Sequence, residues 1–281
     1  MHCADFEELA LGCHHTCGLT NGTAQCWGNN GYGESTVPSI TGLWKSISAK
    51  FFHTCGILLV DLSGKCWGSN GNGETTVPAV TGGWKSLIAG ALITCGILLA
   101  DNSLQCWGYN YYGAATVPSV TGGWKSISPG YYHTCGILLA DNSAKCWGNN
   151  DWGATTVPSI TGGWKSIVAG LNPHTCGILL ADNSLQCWGN NDYGQTTVPS
   201  VTGGWKSITA NWNHVCGILL ADDSARCWGH NNNGQTTVPS VAGGWSSIAA
   251  GGHHTCGVTK LNSTTMCWGY NNLGQTDVPK P

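Results

Sequence analysis

One spacing constrains this chain more than any other feature. The triplet Cys-Trp-Gly recurs at Cys26, Cys66, Cys106, Cys146, Cys187, Cys227 and Cys267, at steps of 40 residues with a single step of 41. Seven copies of a unit this long, each holding several short apolar runs without a 3.6-residue period, predict an all-β fold. The expected architecture is a seven-bladed β-propeller with about 40 residues per blade. The units run approximately over 1–41, 42–81, 82–121, 122–161, 162–202, 203–242 and 243–281, and one closed array is a single domain.

A second cysteine precedes each triplet, and the turn between the two sets their relation. In the first unit Asn21-Gly22 is a two-residue type I′ signal, so Thr20 faces Thr23 and, pairing outward, Cys17 faces Cys26. Later units are two residues longer: a four-residue loop, Leu99 to Asn102, again sets Cys95 opposite Cys106. An even insertion preserves the faces, since a slip of one residue would turn every side chain over. Each pair falls at a non-hydrogen-bonded site, about 4.5 Å between Cα atoms, which a disulfide spans. The predicted bridges are Cys17–Cys26, Cys55–Cys66, Cys95–Cys106, Cys135–Cys146, Cys176–Cys187, Cys216–Cys227 and Cys256–Cys267. Cys3 and Cys13 lie outside the repeat and are expected to staple the N-terminal segment or to reach a neighbouring chain. An even number of cysteines without Cys-x-x-Cys points to an oxidising, extracellular or cell-surface setting and away from zinc.

Charged residues are only 9% of the chain, against about 25% in an average soluble domain. A net charge of -3 without a Lys or Arg run argues against nucleic acid and anionic membranes as partners, and no apolar run reaches membrane-spanning length. The start, Met-His-Cys-Ala-Asp-Phe-Glu-Glu, is too acidic for a signal peptide. A piece of a longer secreted or surface chain is the expectation.

Each unit reads as four short strands: A (Trp124 onward), B (from His133), C (around Cys146) and a brief D at Val-Pro, where proline suits only a sheet edge. Phe6 stands where later units have the strand A tryptophan. The residues Trp-Gly-x-Asn-x-x-Gly-Gln, then Val-Pro, then Gly-x-x-His-Thr resemble the repeat of the regulator of chromosome condensation superfamily from about Phe6 to Pro279. The resemblance implies a seven-bladed propeller. The short Val-Pro spacing is similar to that of a secreted β-lactamase inhibitory propeller of this superfamily, and the cysteine beside Trp-Gly resembles crinkly-type plant receptor ectodomains. The cysteines and the missing basic tail set the chain apart from the chromatin-bound nucleotide exchange factors.

Thirteen of the fifteen tryptophans occupy two fixed repeat positions and read as core. Trp152 and Trp212 do not. They fall in the AB and CD loops, as do Phe51, Phe52 and the tyrosines Tyr32, Tyr109, Tyr111, Tyr112, Tyr131, Tyr132, Tyr193 and Tyr270. Strands alternate in direction, so these two loops share one face of the disk. Tyr111, Tyr112, Tyr131, Tyr132, Trp152, Tyr193 and Trp212, from units three to six, are the candidate contacts for a protein or glycan; the plainer alternative is that loop aromatics fill the mouth of the central channel. Two function classes follow, a non-catalytic binding or assembly module and a secreted enzyme inhibitor, with exchange factor or enzyme less favoured. The histidines before Thr-Cys (His15, His53, His133, His174, His214, His254, with Ile93 in the third unit) are expected to satisfy loop carbonyls, and neither a metal nor a cofactor is called for; His14, His230 and His253 lie on the variable face. Asp61, Asp101, Asp141, Asp182 and Asp222 are expected to cap BC turns. The sequons at Asn21 and Asn262 lie in BC loops, opposite the aromatic face.

Overall fold

The computed structural model describes residues 6–279. Among these, β1 (Glu8–Leu11), β2 (His15–Thr20) and β3 (Thr23–Gly28) form the first antiparallel blade, and β4 (Trp44–Lys50), β5 (His53–Leu58) and β6 (Gly64–Gly68) the second. The same three-strand order repeats to give seven sheets, and no helix long and apolar enough to cross a membrane is present.

The hairpin between strands B and C has the register its turn dictates. Thr20 pairs with Thr23, Leu19 with Ala24, Gly18 with Gln25 and Cys17 with Cys26, across Asn21 and Gly22 at φ 48° and 74°. In the longer units the Leu98 N–H donates to the Ser103 carbonyl at 2.9 Å, and Asn102 takes the left-handed position at φ 58°. All seven hairpin disulfides form, with Cα separations of 4.0–4.1 Å.

The core lies between blades. Cys55 and Ile57 of the second blade pack on Trp84, Leu87 and Ala89 of the third, so each disulfide joins the apolar layer facing its neighbour. Glycine after the first cysteine makes this possible: a Cβ on Gly56 would sit 2.6 Å from the Trp44 ring. Phe6 replaces that tryptophan in the first blade and stacks on Trp27 at 5.3 Å.

The fourth strand does not form. Every sheet among the described residues has three strands, and the Val-Pro segment is irregular. Its proline has no N–H for a ladder, and local turns such as Thr76 N–H to Gly73 O (3.0 Å) consume its neighbours. The segment docks instead on the following blade, where in most units a strand B threonine and a strand C tryptophan both donate to one carbonyl. Thr134 Oγ1 and Trp147 Nε1 reach Ala114 O, each at 2.9 Å. The last unit does this to the first: Thr16 Oγ1 and Trp27 Nε1 reach Gln275 O at 2.9 and 3.0 Å, which closes the ring. Cys13 is buried and forms no disulfide among the described residues; Cys3, its expected partner, lies outside them.

Candidate functional site

The repeated histidines link blades to one another. His15 Nε2 meets Thr54 Oγ1 of the next blade at 2.8 Å, and His53–Thr94, His133–Thr175, His214–Thr255 and His254–Thr16 repeat the contact at 2.8–3.0 Å. Each of these threonine hydroxyls spends its proton on a carbonyl, as Thr54 does on Glu34 O at 3.0 Å, so the imidazole is the donor through Nε2–H. The expected loop carbonyl is therefore replaced by a neighbouring hydroxyl, except at His174. There the next blade has Val215 in place of threonine, and His174 Nδ1 donates to Asn172 O at 2.5 Å while Nε2 is left without a partner. Burial pushes these imidazoles down, to about 3 at His15, His133 and His214 and about 4 at His53 and His174. They are neutral scaffold. Among the described residues no group of His, Cys, Asp and Glu is placed to hold a metal ion.

The CD loops are held by the asparagine of Trp-Gly-x-Asn, whose Oδ1 accepts the N–H five residues on, as in Asn110 with Ala115 at 2.9 Å. In most units a buried acidic or amide side chain adds a second brace: Glu34 takes Asn29 Nδ2 and the Tyr32 N–H at 2.6 and 2.7 Å. Units three and four have Ala114 and Ala154 at that position, and their loop tips carry Tyr111, Tyr112 and Trp152. The BC turns of units two to six are uniform, with Asp101 Oδ1 accepting the Ser103 N–H at 2.9 Å and Asp61, Asp141, Asp182 and Asp222 doing the same.

Six of the seven candidate aromatics belong to one chain of ring contacts. Tyr111 meets Tyr112 (5.0 Å), Tyr112 meets Tyr132 (4.8 Å), and Tyr132 meets Tyr131 (4.2 Å). Phe51 then bridges Tyr131 (5.4 Å) to Trp212 (6.1 Å), and His253 and His230 carry the chain to Tyr193. Trp152 joins no ring pair among the described residues. Exposure divides the set. Tyr111, Trp152, Tyr193 and Tyr112 are 79, 53, 48 and 41% exposed, whereas Tyr131, Tyr132 and Trp212 are partly covered.

The covered rings seal the channel. The first AB-loop position reads Cys13, Phe51, Ala91, Tyr131, Leu171, Trp212 and Gly252 around the ring, so blades two, four and six supply the bulk and the others give way. A plug therefore needs no equal volume from each blade. Backbone bonds lace the loops together beneath it, Cys13 N–H to Phe51 O at 2.8 Å, Ala91 N–H to Gly130 O and Leu171 N–H to Asn211 O at 3.0 Å. Phe51 is held in the left-handed region, φ 54°. Burial pushes the Cys13 thiol up to about 12, out of reach of thiolate chemistry at neutral pH. Burial likewise lowers His14 and His253, which stack at 5.8 Å.

A second layer lies beneath the loop aromatics. Five units place glycine three or four residues before the histidine or its Ile93 equivalent, and a Cβ on Gly12 would strike the His15 ring at 2.1 Å. Units two and six have Lys50 and Asn211 there, a break in pattern that was the available signal. Lys50 Nζ crosses the channel to Ala169 O (2.6 Å) and Pro129 O (3.1 Å), and Asn211 Nδ2 reaches Ala250 O (3.0 Å) and Leu11 O (3.3 Å).

The model of the regulator of chromosome condensation (RCC1) repeat matches residues 124–153, 164–195 and 205–235. Three of the seven units thus match the RCC1 repeat. Direct sequence comparison with curated proteins yields no match. Among solved structures, the propeller is similar to the ectodomain of the Physcomitrella patens receptor kinase CR4, at 25% identity and TM-score 0.78, over 94% of this chain and 73% of that one. The crinkly ectodomain of the Arabidopsis thaliana receptor kinase ACR4 superposes with TM-score 0.80 at 24% identity, covering 98% of this chain and 99% of its own. Yeast RCC1 (Prp20), solved with Kap60, gives 0.71 at 15% identity, over 95 and 80%. The latter two are likenesses of fold.

Proposed function

We propose that this protein is an extracellular, non-catalytic binding module that takes a protein or glycan partner on its aromatic face, through Tyr111, Tyr112, Trp152 and Tyr193 at the CD tips. The observation that carries the reading is the exposure of these rings at 41–79% on loops whose backbones are clamped by Asn110, Asn150 and Asn191. Exposed aromatics on a rigid support give contact area at low entropic cost, and such patches on soluble proteins mark interaction sites. Tyr131 and Trp212 support the face from below as part of the plug. Seven hairpin disulfides and the likeness to receptor ectodomains favour an oxidising exterior. Sequons at Asn21 and Asn262, both exposed on the opposite face, would carry glycans clear of the partner.

A glycan array and a pull-down from source extract, run with wild type and a Tyr112→Ala, Trp152→Ala double variant, test the proposal. Loss of a central aromatic anchor commonly costs about 2 kcal/mol or more in affinity. Unchanged capture by the folded double variant, with loss on altering the BC loops, would place binding on the other face.

A further inference from the structure

The plug leaves the channel blind. Below it a cavity of 220 Å³ runs along the seven A strands, ending at Lys50 and Asn211 under the aromatic rings and lying on the far side of them from the aromatic face. Its lining sets the apolar Ile88 and Val168 beside the hydroxyl-bearing Ser48, Ser128 and Thr209, which occupy the same strand A position in other blades. Those three hydroxyls each accept a backbone N–H from the next blade, at 3.1, 2.9 and 3.2 Å, so their protons are still available to a guest.

Two groups at the closed end are incompletely satisfied. Lys50 is 9% exposed, and its ammonium carries three donors, of which two reach the neutral carbonyls of Ala169 and Pro129. Among the described residues no carboxylate lines the cavity. A buried cation without a counter-charge is costly. Asn211 Oδ1, also buried, has no hydrogen-bond partner. We infer that this cavity is a binding site for a small organic monocarboxylate, its carboxylate on the Lys50 ammonium and its carbon chain along Ile88 and Val168. One cation matches one negative charge, which disfavours sulfate or phosphate. The volume lies below the roughly 300–1,000 Å³ of drug-sized sites and limits the ligand to a short acid; a hydroxyl on it would meet Asn211 Oδ1.

The charged form of Lys50 is the binding form. Burial lowers this lysine to about 7. The titratable groups that act on it electrostatically are His133 and His174, both neutral at physiological pH because burial holds them near 3 and 4. Glu8, on the neighbouring strand, accepts a hydrogen bond from the Ile47 backbone and is outside the lining. Affinity should therefore fall as pH rises through about 7.

Isothermal titration of the intact protein with sodium propionate at pH 6, with propionamide as the neutral isostere, tests this. Saturable propionate binding is expected, with none by propionamide, and with affinity reduced about tenfold or more by Lys50→Met and on raising the pH to 8.5. Ala249→Leu, which adds bulk at a partly exposed wall position without touching Lys50, should abolish binding; it decides the matter if Lys50→Met fails to fold. Equal binding of propionate and propionamide, absence of saturable propionate binding by wild type, or full binding by the folded Ala249→Leu variant would overturn the assignment.

Discussion

The two faces of the disk are built on the same seven hairpins and differ in what varies. On the BC face, neighbouring blades repeat one groove, about 500 Å³ between Asp101 and Trp124 and about 480 Å³ between Asp141 and Trp164, with matching residues at matching places. The sixth unit alone has an acid, Asp223, at the left-handed turn position, where it holds Lys206 of its own unit and Lys260 of the seventh at 2.5 Å each. On the AB and CD face the side chains of neighbouring units differ, yet the backbone clamps are the same. The contrast separates residues that hold a blade to its neighbour from residues released from that duty. His15, Thr54 and Trp27 belong to the first kind, Tyr111 and Trp152 to the second.

The largest effect that would break this comparison is loss of the bridges. Each short hairpin disulfide contributes about 2–3 kcal/mol in the chain-entropy model, so reduction should lower the melting temperature strongly or unfold the chain, as read by circular dichroism with and without reductant. Retention of the full melting temperature in reductant would show that the interblade layer alone holds the fold. Next is Thr54→Val, which strips the partner from the His15 Nε2–H and should cost about 1–3 kcal/mol in denaturant unfolding. The reverse change at the natural gap, Val215→Thr, should gain about 0.5–1.5 kcal/mol by satisfying His174; a loss there would mean that the hydroxyl finds no partner beside the turned His174 ring. The same histidines set an acid limit. Their folded pKa values lie below the unfolded value of about 6.5, so the unfolded chain binds more protons, and stability present above pH 6.5 should decline as pH falls towards 4. Chemical denaturation between pH 7 and 4 measures it, and a flat profile would contradict neutral burial. The smallest effect is Trp152→Ala, expected within about 0.5 kcal/mol of wild type in stability, as for an exposed site.

The hairpins and their disulfides were legible because turn length fixes strand parity, and both turn lengths gave the same cysteine pairing. Strand D was misread. Its Val-Pro marks an edge, but whether the edge pairs depends on carbonyls that Thr134 and Trp147 of the next unit claim, a contact between units that no single unit displays. That the channel mouth draws unequal volume from the blades is hidden for a related reason. Comparing units at equivalent positions treats Phe51 and Ala91 as alternatives, whereas on the ring they are complementary, and Phe51 reaches Tyr131 and Trp212 across the axis. Lys50 and Asn211 differ in sequence from the glycine of the other units, but their destinations across the channel depend on the closed ring.

The division of labour between the faces is tested most directly by hydrogen-exchange or hydroxyl-radical footprinting of the protein with and without a captured partner. Protection should fall on residues 109–113, 149–153 and 190–194, with the BC turns around Asp101, Asp141 and Asp182 unchanged. Protection of those turns with the CD tips unaffected would contradict the account.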